Sequence, residues 1–310
     1  MSILVAGRFF GLGAALIWGT SSVATAVALR GFSPFGVAAF RGIGTTLAMV
    51  VLLAALWLVG RRSIGVRQSP TPWSLGRATR LVILGLLSGF AYVVGLTIAV
   101  ELTGAAITGF LAGMYPIMAA AAAPFILGER LTAGAIAGMG LATVGVLLLS
   151  GADATGVSPL GVLMGLVASA SGAAFLLLGR RWSTSWGLSP VTISLANFVL
   201  LALGGTVVAA ARGSFYAATG PDPQSFFALI WLCVGAGVLA NIFVISSIRR
   251  ISTQESAAYL LITPVFAAAL AFVLLGETLD IVQLLGGALV LLGIVLAAVL
   301  PSSGRRVAAS

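Results

Sequence analysis

Arg41 is the residue with the clearest capacity for chemistry, because it places a permanent charge inside a long apolar run. The run extends from Pro34 to Leu58, and Arg41 lies about 10 Å from its first residue if the run is helical. A buried charge is costly unless it faces a water-filled cavity or a polar partner. Two roles therefore fit Arg41. Its guanidinium group could bind a carboxylate or a phosphate of a ligand, or it could hold backbone carbonyls or a helix C-terminus in place.

Polar-tipped side chains recur at one depth of several apolar runs. Trp18, Tyr92, Tyr115 and Thr263 lie nine to eleven residues into their runs, which is about 14–17 Å along a helix. Aromatic residues of this kind normally lie at the ends of membrane helices, so their central position predicts a cavity that they line. Core packing with a satisfied hydroxyl group is the alternative. The predicted binding set is Trp18, Ser22, Arg41, Ser88, Tyr92, Tyr115, Asn197, Asn241, Tyr259 and Thr263.

The composition excludes several other kinds of chemistry. The chain has no histidine, which excludes Ser-His catalysis, histidine metal ligands and histidine proton relays. Its single cysteine, Cys233, cannot form an internal disulfide bond. We therefore predict no catalytic residue, no metal site and no cofactor. No acidic residue lies deep in an apolar run, which predicts transport that is uncoupled from, or only weakly coupled to, a proton gradient.

Hydrophobic residues make up 60% of the chain and charged residues 7%, against about 25% charged residues in soluble domains. Repeated apolar runs of about 20 residues identify an all-α membrane protein. We predict ten transmembrane helices: Phe9–Leu29, Pro34–Leu58, Leu81–Val100, Gly104–Leu127, Thr132–Leu149, Ser158–Leu178, Pro190–Ala211, Ser225–Ile248, Gln254–Leu275 and Leu279–Leu300.

The arginines orient these helices. If the N-terminus is cytoplasmic, 13 of the 16 arginines fall on the cytoplasmic side and two outside, and Arg41 lies within a span. This is the positive-inside distribution, and ten spans place both termini in the cytoplasm. The net charge of +9 then indicates contact with anionic lipid head groups and not with nucleic acid.

One pattern occurs twice in the sequence. Glu129 lies 13 positions after Pro116, and Glu277 lies 13 positions after Pro264. Glycines follow each glutamate 9 and 16 positions later. The constant offset of 148 predicts two similar repeats, residues 7–151 and 158–301, followed by a cytoplasmic tail at 302–310. Each repeat has five spans, an odd number, so the second repeat should cross the membrane in the opposite sense. Inverted repeats are a recurring construction of secondary transporters.

The repeated residues also suggest local roles. Pro116 and Pro264 are predicted hinges, with a static bend as the alternative. Glu129 and Glu277 are each predicted to cap the helix that follows them, with a gate as the alternative. The fifth and tenth helices are apolar and rich in small residues, which assigns them to scaffold or dimer contacts.

These features resemble the drug/metabolite transporter superfamily, specifically its EamA-type ten-helix members. The resemblance covers nearly the whole chain and depends on Trp18-Gly19, on Arg41 and on the two Pro-to-Glu patterns with a glycine before each glutamate. Glu129-Arg130-Leu131 has the family-like form, and Glu277-Thr278-Leu279 departs slightly from it. The resemblance implies export or import of small metabolites, often amino acids; its best-known type exports amino acids.

We therefore predict a multi-pass protein of a bacterial inner (plasma) membrane that moves small neutral or zwitterionic metabolites, in particular amino acids, by alternating access. Its partners would be the substrate and the lipid bilayer, in a monomer or in a homodimer formed through helices 5 and 10. A flippase for a lipid-linked sugar and an exporter of other hydrophobic molecules are alternatives within transport. A membrane enzyme or sensor is the alternative outside transport.

Overall fold

A computed structural model describes residues 3–58, 74–128, 133–150, 157–186, 188–251 and 259–299. These residues form ten helices. Seven are long and apolar enough to cross a membrane, and the fifth, ninth and tenth contain shorter apolar segments. This confirms an all-α, multi-pass membrane protein. The helices are α1 (Ile3–Ala28), α2 (Pro34–Leu58), α3 (Leu75–Thr103), α4 (Ala105–Leu127), α5 (Ala133–Ser150), α6 (Pro159–Trp186), α7 (Pro190–Ala211), α8 (223–248), α9 (Thr263–Leu275) and α10 (Ile281–Val299).

The predicted bounds hold for α2 and α7, whereas α3 and α6 extend further toward the cytoplasm. Helix α3 begins at Leu75, where the Ser74 side chain accepts a hydrogen bond from Arg77 N. Helix α6 continues to Trp186, whose carbonyl oxygen accepts hydrogen bonds from the Arg77 side chain at 3.0 and 2.5 Å. Arginine favours helices. Arg180 and Arg181 are exposed on α6, whereas Arg77 is buried and its guanidinium is satisfied by the Trp186 carbonyl, so both helices continue beyond their apolar runs. The predicted start of α9 at Gln254 lies outside the described residues.

Helix packing follows the two repeats. The most extensive contact joins α5 to α10, and α2 also packs extensively against α7. The contact of α3 with α6 has its counterpart in that of α8 with α1, and the contact of α4 with α6 has its counterpart in that of α9 with α1. Exchanging each helix for the one five positions away in the chain therefore reproduces the packing. This confirms the two five-helix repeats, and the odd number of helices gives them opposite directions.

Glycines bring α5 and α10 into backbone contact. A Cβ atom added at Gly145 would lie 2.6 Å from the Gly286 carbonyl oxygen, and one added at Gly286 would lie 2.7 Å from that of Gly145. A Cβ atom added at Gly293 would lie 2.5 Å from the Gly138 carbonyl oxygen. The small-residue faces of both helices are thus used within the chain. A homodimer through α5 and α10 would have to use their other faces.

Four helices are interrupted at corresponding positions. Helix α3 contains a π-helical segment, Gly85–Tyr92, and α8 contains another, Leu232–Leu239. Helix α4 has a two-residue turn at 113–114 before Tyr115, and α9 begins at Thr263 directly after a turn at 261–262. The two turns are 148 residues apart, the same offset as the sequence repeat. Such interruptions frequently occur at functional sites.

The prediction that Glu277 caps the following helix is wrong. Its carboxylate accepts hydrogen bonds from Ala105 N at 2.9 Å and Ala106 N at 2.8 Å, so it caps α4, in the other repeat. Gly276 has a φ of 68° and ends α9 in the left-handed region, and residues 277–280 after it are not helical. Asp280 caps α10 instead, accepting from Gln283 N at 2.7 Å. Glu129 lies outside the described residues.

Candidate substrate cavity

A cavity of about 390 Å³ lies between the two repeats. Residues from α1 to α4, from α6 to α8 and from the first turns of α9 line it, together with Leu260 before α9, and the described parts of α5 and α10 contribute none. Pro264 belongs to the lining as well. The residues of the predicted binding set that the structure places around this one cavity are Trp18, Ser22, Arg41, Ser88, Tyr92, Tyr115, Asn197, Asn241 and Thr263.

Helix α1 presents a polar stripe to the cavity. Trp18, Ser21, Ser22 and Thr25 all line it, and their positions i, i+3, i+4 and i+7 share one helical face. Ser21 and Thr25 were absent from the predicted set. Extending the helical register from Trp18 would have found both.

Two tyrosines from the first repeat meet over a glycine of the second. Tyr92 ends the π-helical segment of α3, and Tyr115 follows the turn in α4. A Cβ atom added at Gly172 of α6 would lie 3.0 Å from the Tyr92 ring and 3.5 Å from Tyr115 Cβ. The glycine therefore makes room for both side chains. In the described part of the chain, no hydrogen bond occupies either hydroxyl group.

Most other polar donors of the predicted set are already bonded to backbone carbonyls. Trp18 Nε1 donates to Ala236 O at 3.1 Å, and Thr263 Oγ1 donates to Ala15 O at 3.3 Å. These bonds connect α1 to α8 and to α9. They show that the two side chains fix neighbouring helices and offer the cavity mainly their apolar surfaces.

The two asparagines are bonded in the same way. Asn241 Nδ2 donates to Gly237 O at 2.6 Å within α8. In the amide orientation that satisfies its surroundings, Asn197 donates to Ile193 O at 3.1 Å and to Leu84 O at 3.3 Å. Asn197 thus ties α7 to α3, which is interhelical hydrogen bonding of the kind common in membrane bundles.

Three buried polar atoms beside the cavity have no hydrogen-bond partner among the described residues: Ser21 Oγ, Ser22 Oγ and Arg41 Nε. Arg41 is also the one charged residue in the described lining. An unsatisfied buried donor costs free energy. These atoms, together with the unbonded hydroxyl groups of Tyr92 and Tyr115, are polar groups of lining residues that have no partner among the described residues.

Tyr259 is the one member of the predicted binding set that the structure does not place in the lining. Its ring packs against α1, where a Cβ atom added at Gly11 would lie 2.9 Å from Tyr259 Cδ2. Tyr259 and Thr263 would share a face in a continuous helix, but the turn at 261–262 lies between them and rotates one face away from the other. Pro116, the other predicted hinge, lies next to lining residue Tyr115 but outside the lining.

The two ends of the cavity differ. In the orientation that the arginines predict, Thr25, Thr97 and Thr108 lie toward the outer side, and their exposed fractions are 4%, 1% and 1%. Close helix packing therefore closes this end. Toward the cytoplasmic ends of α6 and α7, the lining includes Ser194 and Leu176, which is 45% exposed. The described lining is thus tightly packed toward the predicted outer side and more exposed toward the other end.

Comparisons with known proteins agree with this architecture. No curated protein matches the chain closely enough to count as a relative. Among solved structures 27 chains match, and one of them, described only as a protein crystal structure, has a TM-score of 0.60 at 22% identity over 94% of this chain and 96% of the other. That likeness shows the fold alone.

The sequence profile of the EamA-like transporter family matches residues 5–151 and 159–299. The two matched segments coincide with the two five-helix repeats and leave only the termini and the connection between repeats unmatched. The chain therefore belongs to the EamA-like transporter family, whose members carry small molecules across membranes.

Proposed function

We propose that this protein is a plasma-membrane carrier of small neutral or zwitterionic metabolites, in particular amino acids with apolar side chains, which it exports by alternating access. The observation that carries the proposal is the central cavity that both repeats line. Membership of the family supports transport of small molecules, and the geometry of the cavity supports the narrower substrate class.

The size and walls of the cavity suit an amino acid. Its volume of about 390 Å³ is at the lower end of the range of about 300–1,000 Å³ that is typical of small-molecule sites. Trp18, Tyr92, Tyr115, Phe175 and Phe198 supply aromatic surface. Apolar and aromatic walls with a few polar groups are the usual way to bind and orient a small organic molecule.

The interruptions in the helices support alternating access. Breaks in α4 and α9, and π-helical segments in α3 and α8, occur at corresponding positions of opposed repeats. Interrupted helices near a midplane site, in repeats related by inversion, are the common construction of carriers that rock around the site. The closed outer end represents one of the two states that such a mechanism requires.

Counterflow into proteoliposomes tests the proposal. Purified protein should accumulate labelled leucine or phenylalanine against an excess of the same amino acid inside, at equal rates with and without an imposed pH gradient. Trp18→Ala should lower the rate at least tenfold, because the indole surface is removed and α1 loses its bond to Ala236 O. Trp57→Ala is the matched control, since Trp57 is 67% exposed on α2, and it should retain wild-type rates.

Three outcomes would contradict parts of this proposal. No counterflow of any amino acid would remove the substrate class. A steep dependence on the pH gradient would remove uncoupled transport. Cells that express the protein and accumulate more of the amino acid than cells with Trp18→Ala would show uptake in place of export.

A further inference from the structure

We propose that Arg41, Ser21 and Ser22 form a carboxylate subsite, so that one carboxylate is the group that the cavity requires and an ammonium group on the substrate is dispensable. This inference rests on the proposed function, because it divides the substrate of the same cavity into a required and an optional part.

The first support is the set of unpartnered atoms. Ser21 Oγ, Ser22 Oγ and Arg41 Nε are buried beside one cavity without a hydrogen-bond partner in the described residues. Two hydroxyl groups and a guanidinium group supply several N–H and O–H donors. Guanidinium groups match the two oxygens of a carboxylate in a planar, bidentate arrangement. All three residues line the one cavity in which such a carboxylate would bind.

The second support is the charge of the lining. Arg41 contributes one positive charge, and the described lining holds no aspartate or glutamate. A singly charged anion neutralises this charge. A dianion such as a phosphate monoester would leave one buried negative charge without a partner, and a cation would add a second positive charge. Both are costly in a medium of low dielectric constant.

The third support is that the described lining has no acidic partner for an ammonium group. No acidic side chain of the described lining can pair with it. A neutral zwitterion also leaves the cavity with the net charge of Arg41, whereas a carboxylate without an ammonium cancels that charge. The cavity should therefore accept a deaminated analogue at least as well as the amino acid.

A structural role for the Arg41 guanidinium group would require partners that the structure does not show. The Arg41 backbone is held by neighbouring α8, where Cys233 Sγ approaches Arg41 O at 3.8 Å. The side chain, in contrast, forms no ion pair or hydrogen bond to the described residues, and its Nε is left unbonded. Arg41 thus lies in the lining of the cavity without the partners that a clamp between helices would need.

Four compounds with one shared phenyl body test the subsite: 3-phenylpropionate, phenylalanine, 3-phenylpropanamide and phenethylamine. Their affinities for purified protein in nanodiscs are measured by calorimetry at pH 7.5. We expect 3-phenylpropionate to bind at least as tightly as phenylalanine, and the amide and the amine to bind at least tenfold more weakly. Tighter binding of the amine or the amide than of the propionate would overturn the subsite.

Substitutions test which residues cause the preference for propionate over the amide. Arg41→Gln should remove the preference for propionate over the amide, and Arg41→Lys should retain a reduced preference because it keeps the charge and loses the planar fork. Ser21→Ala with Ser22→Ala should weaken propionate several-fold and weaken the amide less, because hydrogen bonds to a charged carboxylate are the stronger ones. An Arg41→Gln variant that folds, as judged by its elution profile, and keeps the full preference would refute the role of Arg41. If Arg41→Gln does not fold, the serine variants decide.

The failure of this inference is distinguishable from the failure of the proposed function. If wild-type protein counterflows phenylalanine but binds amide and propionate equally, the carrier function stands and the subsite is wrong. If none of the four compounds binds or moves, both are wrong.

Discussion

Glu277 is the residue that most directly joins the two repeats. Its carboxylate belongs to the segment after α9 and accepts both hydrogen bonds from the first turn of α4. The N-terminus of a helix carries a partial positive charge and unpaired N–H groups, so a carboxylate stabilises it in both respects. Gly104, the residue before α4, has a φ of 83°. A Cβ atom added at Gly104 would lie 3.0 Å from Glu277 Oε2. The local backbone is therefore shaped around this carboxylate.

We expect Glu277→Gln to lower the free energy of unfolding by about 1–2 kcal/mol, the usual size of a lost helix cap, because the amide nitrogen cannot accept a hydrogen bond. The measurement is the melting temperature of the detergent-purified protein. Glu101→Gln is the control, since Glu101 is an exposed acid in the last turn of α3, just before α4. Equal melting temperatures for wild type and Glu277→Gln would show that the cap is dispensable.

Residue positions were more predictable from the sequence than residue contacts. Depth along an apolar run located Trp18, Tyr92 and Tyr115 correctly around one cavity, because helical rise is constant. Their hydrogen-bond partners were not predictable in this way. The acceptor for Trp18 is a backbone carbonyl 218 residues away, and carbonyls carry no signal in the sequence. The same is true of the N–H groups that Glu277 binds.

The contact between α5 and α10 is the most extensive contact between two helices. Gly145 and Gly286 approach so closely that any side chain would meet backbone atoms, which cannot move as a flexible side chain can. Interfaces of this kind are how membrane helices gain van der Waals contact. The sequence predicted small faces on both helices but left open whether each faces a second copy or the other helix.

Gly145→Ala should therefore destabilise the protein by about 1–3 kcal/mol, the usual cost of overpacking. Gly140→Ala is the matched control on the same helix, because a Cβ atom there meets nothing within 4 Å; it should be neutral or slightly stabilising, since alanine favours helices. Melting temperatures of both variants check this. Equal effects of the two substitutions would contradict the close contact.

The break in α4 should matter for movement more than for binding. Pro116 follows the turn at 113–114 and has no N–H to donate back across it. Pro116→Ala restores that donor and favours a continuous helix. We expect turnover in counterflow to fall several-fold, with substrate affinity unchanged within twofold. Pro124→Ala is the control in the same helix, outside the break, and should not slow turnover. Equal turnover of wild type and Pro116→Ala would make the proline a static bend.

At the scale of the whole molecule, the repeat spacing predicted the symmetry of the fold and the arginines predicted its direction in the membrane. Neither could predict which conformation the chain adopts. Both repeats contain a π-helical segment in the third helix and a turn at the corresponding position of the fourth, so the sequence is compatible with a cavity that is closed at either end. The choice depends on contacts between the repeats, such as the Glu277 cap on α4, which form only in the folded molecule.

This difference between the ends gives a prediction for the whole carrier. Thr25 lies at the closed outer end and is 4% exposed, so a cysteine there should react slowly with a membrane-impermeant maleimide added outside. In a Cys233→Ala background, Thr25→Cys should become more reactive in the conformation that opens outward. Substrate that shifts the population between the two states must change the labelling rate, because a ligand moves such an equilibrium by its differential affinity.

Ala218→Cys, at an exposed position of the outer loop, should label rapidly and independently of substrate. If Thr25→Cys transports normally while its labelling is as fast as that of Ala218→Cys and insensitive to substrate, the outer end does not close during transport, and alternating access around this cavity is wrong.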